Sequence, residues 1–429
     1  MSSTAGLVDW RGRPVDTTKH GGVRASIFIH ILVWLGNVSN IANSMNMVSY
    51  LRGTMNMGVA AASTTTTIFV AVLQMFTIPA AFIADSYIKR LYTVLIFAPI
   101  EILVLVAAFR KRNLQVIDNP NGLNQITGDN AKGLEVLGRT KGLECLDKAA
   151  IDNGQRGPWS LCTVHQVEEA KIVMRMIPIF ITSALGYMPV SIILTFTVQQ
   201  GNTMNTKLGT INVSPATLFI IPTIFQLVIL VVYDRFIVPF LRKKTGYVGG
   251  VTHLQRIGIG FVAAMMASVV AAIVEMKRKR IADENGLMDS PAAVPMSVFW
   301  LVFQFFFIGV VDVTSFVGLL EFFYSEASTG MKSIGSSFFY CMLGVAAWLV
   351  TLLIELVNRV TRHGGRKQGW LDGANLNRSK LDSFYWLVCV LQLVSFMAYL
   401  YWARRYVYRN DQRVVEKDKS PVYRDMDAI

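Results

Sequence analysis

Long stretches without any Asp, Glu, Lys or Arg decide most about how this chain can fold. They cover residues 26–51, 53–84, 176–206, 208–233, 257–274, 290–311, 333–354 and 383–403. A helix needs about 20 mostly apolar residues to cross the hydrocarbon core of a bilayer. The stretches have about this length, so they predict an all-α polytopic membrane protein. They exclude a soluble enzyme, a disordered chain and a disulfide scaffold, and they disfavour a β-barrel, whose strands alternate over about 10 residues.

The charged residues are few, and they cluster beside the apolar stretches. They make up 16% of the chain, whereas soluble domains average about 25%. A net charge of +13 would indicate nucleic acid in a soluble protein, but here the cations flank membrane segments. Cys145, Cys162, Cys341 and Cys389 lack metal-binding spacing. We therefore expect the lipid bilayer as a partner and no nucleic acid, metal, cofactor or catalytic residue.

Five regions follow one another along the chain. A polar segment, 1–25, lacks the apolar region of a signal peptide and is expected in the cytoplasm. Three helical candidates occupy 26–109, a hydrophilic linker occupies 110–172, six helical candidates occupy 173–403, and a charged tail covers 404–429. The helical candidates lie near 26–51, 62–84, 91–109, 173–198, 213–233, 256–275, 296–323, 333–357 and 382–403.

The distribution of Lys and Arg places the linker and the tail in the cytoplasm. With that orientation, the segments flanking the last six helices have 22 cations inside and 11 outside, as the positive-inside rule requires. Three spanning helices cannot connect an N-terminus and a linker that both lie inside. Either one of the three segments does not cross, or the N-terminus lies outside, or the linker does. Such an imbalance indicates that helices are absent from the first part of the chain.

Short strings of residues, spread in order from Gly21 to Tyr408, match a known pattern. They include Gly21-Gly22-Val23-Arg24-Ala25, Ala84-Asp85-Ser86-Tyr87, Phe109-Arg110-Lys111-Arg112, Leu146-Asp147-Lys148-Ala149-Ala150, Thr195-Phe196-Thr197-Val198-Gln199-Gln200-Gly201, Leu254-Gln255-Arg256-Ile257-Gly258, Gly318-Leu319-Leu320-Glu321-Phe322-Phe323-Tyr324 and Leu381-Asp382-Ser383-Phe384-Tyr385-Trp386. One string alone is weakly specific, but the set is highly specific. It resembles the plant nitrate/peptide transporter family, part of the proton-dependent oligopeptide transporters within the major facilitator superfamily.

The resemblance implies twelve helices in two halves of six, with the substrate site between the halves. In the family, the string Phe109-Arg110-Lys111 follows the sixth helix, but here it follows the third apolar run. The match breaks near residue 103, as a splice variant or a faulty gene model would produce. The chain thus resembles an internally truncated member: a major facilitator superfamily bundle with an incomplete N-terminal half and about nine helices.

Two further departures from the family affect the predicted mechanism. Members that couple to protons have a Glu-x-x-Glu-Arg motif on the first helix, and the matching residues 33–37 contain neither a carboxylate nor an arginine. The histidine that the family associates with nitrate matches Val190. A desolvated nitrate needs a cationic or hydrogen-bond-donating group, which Val190 lacks. Both departures weaken the prediction of proton symport and of nitrate binding.

Glu321 is the leading candidate for substrate binding. A carboxylate within an apolar run costs about 2.5–3.5 kcal/mol on insertion scales unless it faces a cavity or a partner. By resemblance, its counterpart lines the pocket and contacts a cationic substrate group or the coupling arginine. The alternative is an interfacial carboxylate near a helix end that reaches towards the cytoplasm.

Asp312 and Gln304 are further substrate-binding candidates in the same run. Asp312 precedes Glu321 by nine residues, or about 180° at about 100° per residue, so a straight helix cannot turn both carboxylates into one cavity. We expect Asp312 either to pair with a neighbouring helix or to line the pocket. Gln304 lies on roughly the same face as Asp312, and its amide would bind either the substrate or a neighbouring helix.

Gating and topology residues are predicted at the cytoplasmic ends of helices. The stretch from Asp85 to Arg90 resembles the superfamily loop that holds the inward gate by charge pairing. Arg256 opens the sixth run and is interpreted as a topology anchor or a partner in a gate salt bridge. On a predicted outer loop, Asn377-Arg378-Ser379 matches a glycosylation acceptor, a pattern that also arises by chance.

The sequence predicts a secondary transporter that moves a small solute by alternating access. By resemblance, the solute would be nitrate, a peptide, a plant hormone or another organic anion, with protons as a candidate coupling partner. The alternative is a non-transporting truncated isoform that associates with full-length relatives. An enzyme is not expected, because the sequence has no metal cluster, nucleophile motif or phosphate loop. The protein would reside in the plasma membrane or the vacuolar membrane.

Overall fold

Six helices in the computed structural model are long and apolar enough to cross a membrane, within the part of the chain that the structure describes. They confirm the predicted all-α polytopic fold. The bundle lies within Met57–Ile429, the larger of two compact units. The described residues are 47, 50–51, 54–55, 57–75, 104, 107–111, 124, 140, 142–151, 162–208, 211–212, 217–218, 220–247, 249–290, 292–328, 332–362, 369–372 and 375–409.

Several predictions from the sequence concern residues outside this description. The pair Asp85 and Arg90 is among them, as are residues 33–37 and most of the helices expected near 26–51 and 91–109. The gating role of that pair and the total of about nine helices therefore stay predictions.

The helices are numbered in chain order. Two are short, α1 (Val59–Met75) and α2 (Glu144–Asp147). The long ones are α3 (Val164–Asn202), α4 (Ile220–Thr245), α5 (His253–Glu284), α6 (Val298–Glu326), α7 (Lys332–Arg362) and α8 (Leu381–Arg405). Strand β1 (Met204–Asn205) pairs in parallel with β4 (Val294–Ser297), and β2 (Lys207–Leu208) pairs antiparallel with β3 (Ile211–Asn212).

The first turns of α3 precede the apolar run that was predicted to begin at 173. Thr163 caps the helix, because its hydroxyl accepts from the Gln166 N–H at 3.3 Å while the Gln166 side chain accepts from the Thr163 N–H at 2.9 Å. This reciprocal capping box fixes the helix start. The polar turns that follow carry Glu168, Glu169 and Lys171, so hydropathy alone placed the beginning of the helix too late.

Helices α3, α5, α6, α7 and α8 form the bundle, with α5 packed along α8, α6 and α3, and α7 packed along α3, α6 and α1. A row of alanines on α5 is buried, and such small side chains let membrane helices approach closely.

We call the end where α3 begins and α8 ends the linker end. At the linker end, the Ser328 hydroxyl donates to the Glu169 carboxylate at 2.9 Å. We call the opposite end of the bundle, where β1 pairs with β4, the far end.

Helix α4 is the exception to this packing. Only 6% of its apolar window is buried, against 56% for α3, α5 and α6. It packs mainly against α6 and leaves most of its surface open. Apolar side chains in this position are compatible with lipid, which is as apolar as they are.

Part of the predicted hydrophilic linker is folded against the start of α3. Lys171 is fully buried, and its ammonium lies 2.6 Å from Asp147 of α2 and 2.8 Å from Glu168. Lys111 donates to the Ile151 carbonyl at 2.5 Å and to the Ala149 carbonyl at 3.3 Å. A buried lysine needs such partners, because the uncompensated charge would be strongly destabilising.

Candidate functional site

Asp312 lies at the midpoint of α6, fourteen residues from each end of the helix. At about 1.5 Å per residue, the carboxylate is about 21 Å from each end. It is half-buried, and its Oδ1 lies 3.5 Å from the Tyr187 hydroxyl of α3, which donates a long hydrogen bond. The ring of Phe316, one turn further along α6, lies 6.5 Å from the Tyr187 ring. The structure thus places a partly exposed carboxylate, a phenol and an aromatic ring together at the midpoint of α6.

A π-helical turn, Asp312–Phe316, interrupts α6 between the two predicted carboxylates. The Val317 N–H donates to the carbonyls of Asp312, five residues earlier, and Thr314, and not to the Val313 carbonyl. The Val313 oxygen therefore lacks its usual helical donor, and Arg256 of α5 donates to it at 2.7 Å. The expectation of a straight helix with opposed carboxylates is wrong for α6, because the extra residue in the turn changes the angle between Asp312 and Glu321.

Arg256 connects three helices near the linker end. Its Nη1 donates to Glu321 Oε2 at 2.9 Å, and its guanidinium lies 4.6 Å from the centre of the Tyr233 ring on α4. Tyr233 begins a second π-helical turn, Tyr233–Ile237. His253 Nδ1 lies 3.5 Å from the same carboxylate oxygen. Arg256 therefore satisfies an irregular backbone carbonyl of α6 and stacks on the irregular turn of α4.

The Glu321 side chain is 45% exposed and lies only five residues before the end of α6. Of the two roles predicted for Glu321, this position fits the interfacial carboxylate near a helix end. Its observed partners are Arg256 and His253. A substrate contact by Glu321 stays a prediction.

Gly260 permits the close approach of α5 to the π-helical turn of α6. A Cβ atom at position 260 would overlap the Ser315 Cβ and would lie 2.8 Å from the Thr314 hydroxyl. One turn away, Arg256 can then reach the Val313 carbonyl. The geometry of the site therefore requires glycine at position 260, because a Cβ atom there would be closer to its neighbours than packed atoms can be.

Gln304 is fully buried and donates through Nε2 to the Thr197 hydroxyl of α3 at 3.1 Å. This contact is the interhelical bond that the sequence left open as the alternative to a substrate contact. Its Oε1 atom has no hydrogen-bond partner among the described residues. A substrate contact through that oxygen stays a prediction.

A buried ion pair at the far end was missed by sequence reasoning. Arg278 and Glu275 of α5 are both fully buried and lie 2.7 Å apart. The remaining partners of the pair are Thr203, Asn377 and Gln200, at 2.5–3.0 Å. In the sequence, Arg278 belongs to a run of four cations, 277–280, that flanks an apolar stretch, a pattern that indicates only topology. Its burial could not be inferred without knowing which residues of α3 and the last loop face it.

Asn377 does not offer a free amide for glycosylation. It is 3% exposed, its Oδ1 accepts from Arg278 Nη1 at 2.5 Å, and its Nδ2 donates to the Leu287 carbonyl at 3.0 Å. Both polar atoms of the amide are therefore used inside the fold. This packing favours the interpretation of the acceptor pattern as a chance match, which short patterns often produce.

Tyr187 and Tyr233 were also missed from the sequence. Both are buried, and aromatic residues in apolar runs usually belong to the core. Only the contacts of Tyr187 with Asp312 and of Tyr233 with Arg256 distinguish these two residues from other buried aromatic residues.

Comparison with known proteins places this arrangement in context. Residues 139–371 match the family described as PTR2: POT family. Protein NRT1/PTR FAMILY 4.5 of Arabidopsis thaliana is 44% identical over 269 residues, which cover 63% of this chain and 47% of that protein. NRT1/PTR FAMILY 3.1 of the same plant is 38% identical over 335 residues, covering 75% and 56%. The chain spans about half the length of the curated relatives it matches.

Solved structures show a weaker likeness. A crystal structure of an auto-inhibited POT family peptide transporter has a TM-score of 0.46 and 18% identity, covering 58% of this chain and 44% of that one. A POT family transporter in complex with 5-aminolevulinic acid has a TM-score of 0.42 and 11% identity, covering 92% and 56%. The sequence match carries the assignment, because it extends over more than half of the residues, from the linker to the loop before α8. This chain belongs to the POT family of membrane transporters.

Proposed function

We propose that the protein is a secondary transporter that moves a small solute by alternating access, with Asp312 as the solute-binding carboxylate. Family membership supports transport as the activity. The observation that carries the assignment of the site is the half-buried carboxylate at the midpoint of α6, 3.5 Å from the Tyr187 hydroxyl. An ionisable group inside a membrane span is costly and usually faces a pathway or a partner. Secondary transporters bind solutes near the bilayer midplane, often at interrupted helices.

The charge of the site favours a solute with a protonated amine or another strong hydrogen-bond donor. Asp312 supplies an anionic acceptor, and the neighbouring rings of Tyr187 and Phe316 can contact a cationic group. Nitrate fits less well, because Val190 offers no donor and the Arg256 guanidinium is engaged by Glu321 and the Val313 carbonyl. Among the solute classes indicated by the sequence, those with an amino group agree best with this geometry.

Asp312 is also a candidate for carrying a proton during transport. The residues that match the proton-coupling motif lack carboxylates, so coupling would need another titratable group along the pathway. Arg256 and Glu321 would then act at the linker end, where breaking their ion pair would let α5 and α6 separate. This role corresponds to the predicted gate salt bridge.

Uptake into proteoliposomes tests the proposal. The full chain, purified in detergent and reconstituted, is offered labelled nitrate, a dipeptide, an organic anion and an amino-bearing solute, with and without a pH gradient. Asp312→Asn should lower uptake of the transported solute about tenfold or more, since a hydrogen bond to a charged group contributes about 1.5–3 kcal/mol. Tyr187→Phe should lower it less, about fivefold, because the hydrogen bond to Asp312 that is lost is long and the aromatic ring is retained.

Asp382→Asn serves as the matched control, because this carboxylate pairs with Lys279 at the far end and is remote from Asp312. Its uptake should equal that of the wild type. Unchanged uptake in Asp312→Asn, or an equal loss in both variants, would contradict the assigned site.

A second candidate function is a non-transporting isoform that associates with a full-length relative. The observation favouring it is that the match covers only 47% of NRT1/PTR FAMILY 4.5. Co-expression with that relative should then reduce its uptake and yield a complex on affinity purification. Robust uptake by this chain alone would exclude this candidate. A fluorescent fusion would show whether the plasma membrane or the vacuolar membrane contains the protein.

A further inference from the structure

Three consecutive cations, Arg242, Lys243 and Lys244, end α4 at the linker end of the bundle. All three side chains are exposed, and none forms an ion pair with a carboxylate in the part of the chain that the structure describes. The carboxylate of Asp234, on the same helix, is eight residues before Arg242, or about 12 Å along the axis. Lys244 lies over the Phe240 ring at 4.7 Å. The positive charge of this basic turn is therefore open to an external anion.

At the far end, in contrast, most of the described cations have a partner within the chain. The chain supplies a partner for each of the following: Lys277 stacks on Trp300, and the ion pairs are Arg278 with Glu275, Lys279 with Asp382, Arg280 with Glu284, Arg362 with Asp372, and Arg378 with Asp289. Carboxylates of the chain thus pair with five of these far-end cations, whereas the three cations of the basic turn of α4 have no such partner among the described residues. This asymmetry points to a partner outside the protein.

A stripe of exposed apolar side chains leads along α4 to the basic turn. Each side chain of the stripe is 51–70% exposed. The stripe consists of Ile220, Ile224, Leu227, Val228, Val231, Phe236 and Phe240. The spacing of three, four and seven residues places the first five on one helix face. The π-helical turn Tyr233–Ile237 adds a residue between Val231 and Phe236, so the stripe continues in phase. The apolar stripe and the basic turn together match the two parts of a phospholipid, the acyl chains and the phosphate.

We propose that α4 holds an anionic phospholipid, with its headgroup on Lys243, Lys244 and Arg242 and its acyl chains along the apolar stripe. The headgroup lies in the leaflet at the linker end, which is the cytoplasmic leaflet according to the distribution of cations. Anionic lipids concentrate in that leaflet and attract juxtamembrane cations. Lys244, oriented over Phe240, places one ammonium beside the boundary between the stripe and the headgroup region. The site is independent of the proposed transport activity.

Native mass spectrometry of the full chain in detergent tests this site. The protein is titrated with phosphatidylglycerol and, separately, with phosphatidylcholine of the same acyl chains, and the retained lipid is measured. Phosphatidylglycerol should bind the wild type in preference to phosphatidylcholine. Lys243→Gln/Lys244→Gln should weaken phosphatidylglycerol binding about tenfold or more, since each cation near a membrane surface contributes about 1 kcal/mol.

The charge-matched control is Lys207→Gln/Arg280→Gln, which removes two exposed cations from the far end. It should bind phosphatidylglycerol as the wild type does. Size-exclusion chromatography confirms that both double variants are folded, as expected for changes at exposed side chains. Equal retention of both lipids, or an equal loss in both variants, overturns the proposal.

Two further experiments distinguish a bound phospholipid from other molecules that could cover this face of α4. Inorganic phosphate at the same concentration should fail to displace phosphatidylglycerol, because it lacks acyl chains; efficient displacement would overturn the lipid assignment. A lipid-free protein dimer that Lys243→Gln/Lys244→Gln dissociates would mean that α4 contacts a second copy instead. Either result replaces the phospholipid as the occupant of this face.

Discussion

The Nη1 atom of Arg256 on α5 lies 2.9 Å from Oε2 of Glu321 on α6, near the linker end of both helices. The two partners differ in burial: the Arg256 side chain is 10% exposed and that of Glu321 is 45% exposed. Arg256 also donates to the Val313 carbonyl and stacks on Tyr233. The ion pair is therefore only one of three interactions that depend on the arginine, whereas it is the main one for the glutamate.

The two sides of this pair should respond differently to substitution. Glu321→Gln should lower the free energy of unfolding by at most about 1 kcal/mol, because exposed ion pairs contribute little. Arg256→Gln should cost about 1–3 kcal/mol more, since the Val313 carbonyl loses its donor inside the bundle. Thermal unfolding of both variants in the same detergent measures the difference. Equal losses would show that the backbone contact contributes nothing beyond the ion pair.

Gly260 should not tolerate a methyl group. Gly260→Ala forces the new Cβ against Ser315 and Thr314 in the π-helical turn of α6, and overpacking of this kind costs about 1–3 kcal/mol. Gly258→Ala is the matched control on the same helix, because a Cβ there meets nothing closer than 3.7 Å. Melting temperatures should fall for the first variant and stay close to the wild type for the second. A similar fall in both would point to backbone effects of alanine rather than to the contact with α6.

Asn377 should remain unmodified when the protein is expressed in plant cells. Its amide is occupied by Arg278 and the Leu287 carbonyl, so a glycan would require the last loop to open. Glycosidase treatment should cause no mobility shift at this site, and Ser379→Ala, which destroys the acceptor pattern, should migrate like the wild type. Asn377→Ala should destabilise the protein by about 1–3 kcal/mol, because the buried Arg278 loses an acceptor. A glycan found on Asn377 would contradict the packing of the far end.

The pH dependence of stability should include a contribution from Asp372. The hydrogen bonds from Arg362, at 2.5 and 2.8 Å, hold the pKa of the Asp372 carboxyl below its usual range; the Gly369 N–H also lowers the pKa, and partial burial opposes both. A lowered pKa stabilises the fold above the ordinary Asp pKa of about 3.9. That contribution is lost as the pH falls through the lower folded value.

Asp372→Asn should therefore reduce the melting temperature at pH above about 5 and match the wild type more closely near about pH 3. Asp289→Asn is the comparison, because the Arg378 hydrogen bonds also lower the pKa of Asp289, yet this pair is much more exposed than Asp372. Solvent screens such a pair, so the effect should be smaller. A pH-independent difference for Asp372→Asn would contradict the role of its charge.

The membrane spans could be predicted because their cause is local. A run without charges, long enough to cross a bilayer, identifies a helix whatever surrounds it, and each of the six described spans overlaps a predicted run. The first turns of α3 were missed because Glu168, Glu169 and Lys171 look like linker residues until Asp147 is known to pair with Lys171. The candidate carboxylates could be selected for the same local reason, since charges are expensive in lipid. Their relative positions could not, because the π-helical turn Asp312–Phe316 alters the angle between them and leaves no signal in the hydropathy pattern.

The sequence by itself determined that this chain is a bundle of membrane helices and that Asp312, Glu321 and Arg256 are unusual within it, because the composition of a single segment sets its free energy in lipid. Tertiary structure alone decided the partners: Tyr187 beside Asp312, Arg256 on the freed Val313 carbonyl, and Arg278 enclosed by Asn377 and Glu275. Three of these contacts join residues from 57 to 125 positions apart, and the Val313 carbonyl is available only because α6 departs there from regular geometry. A polar group in a low-dielectric interior is stable only with its partner in place, and which helix supplies that partner is a property of the packed bundle.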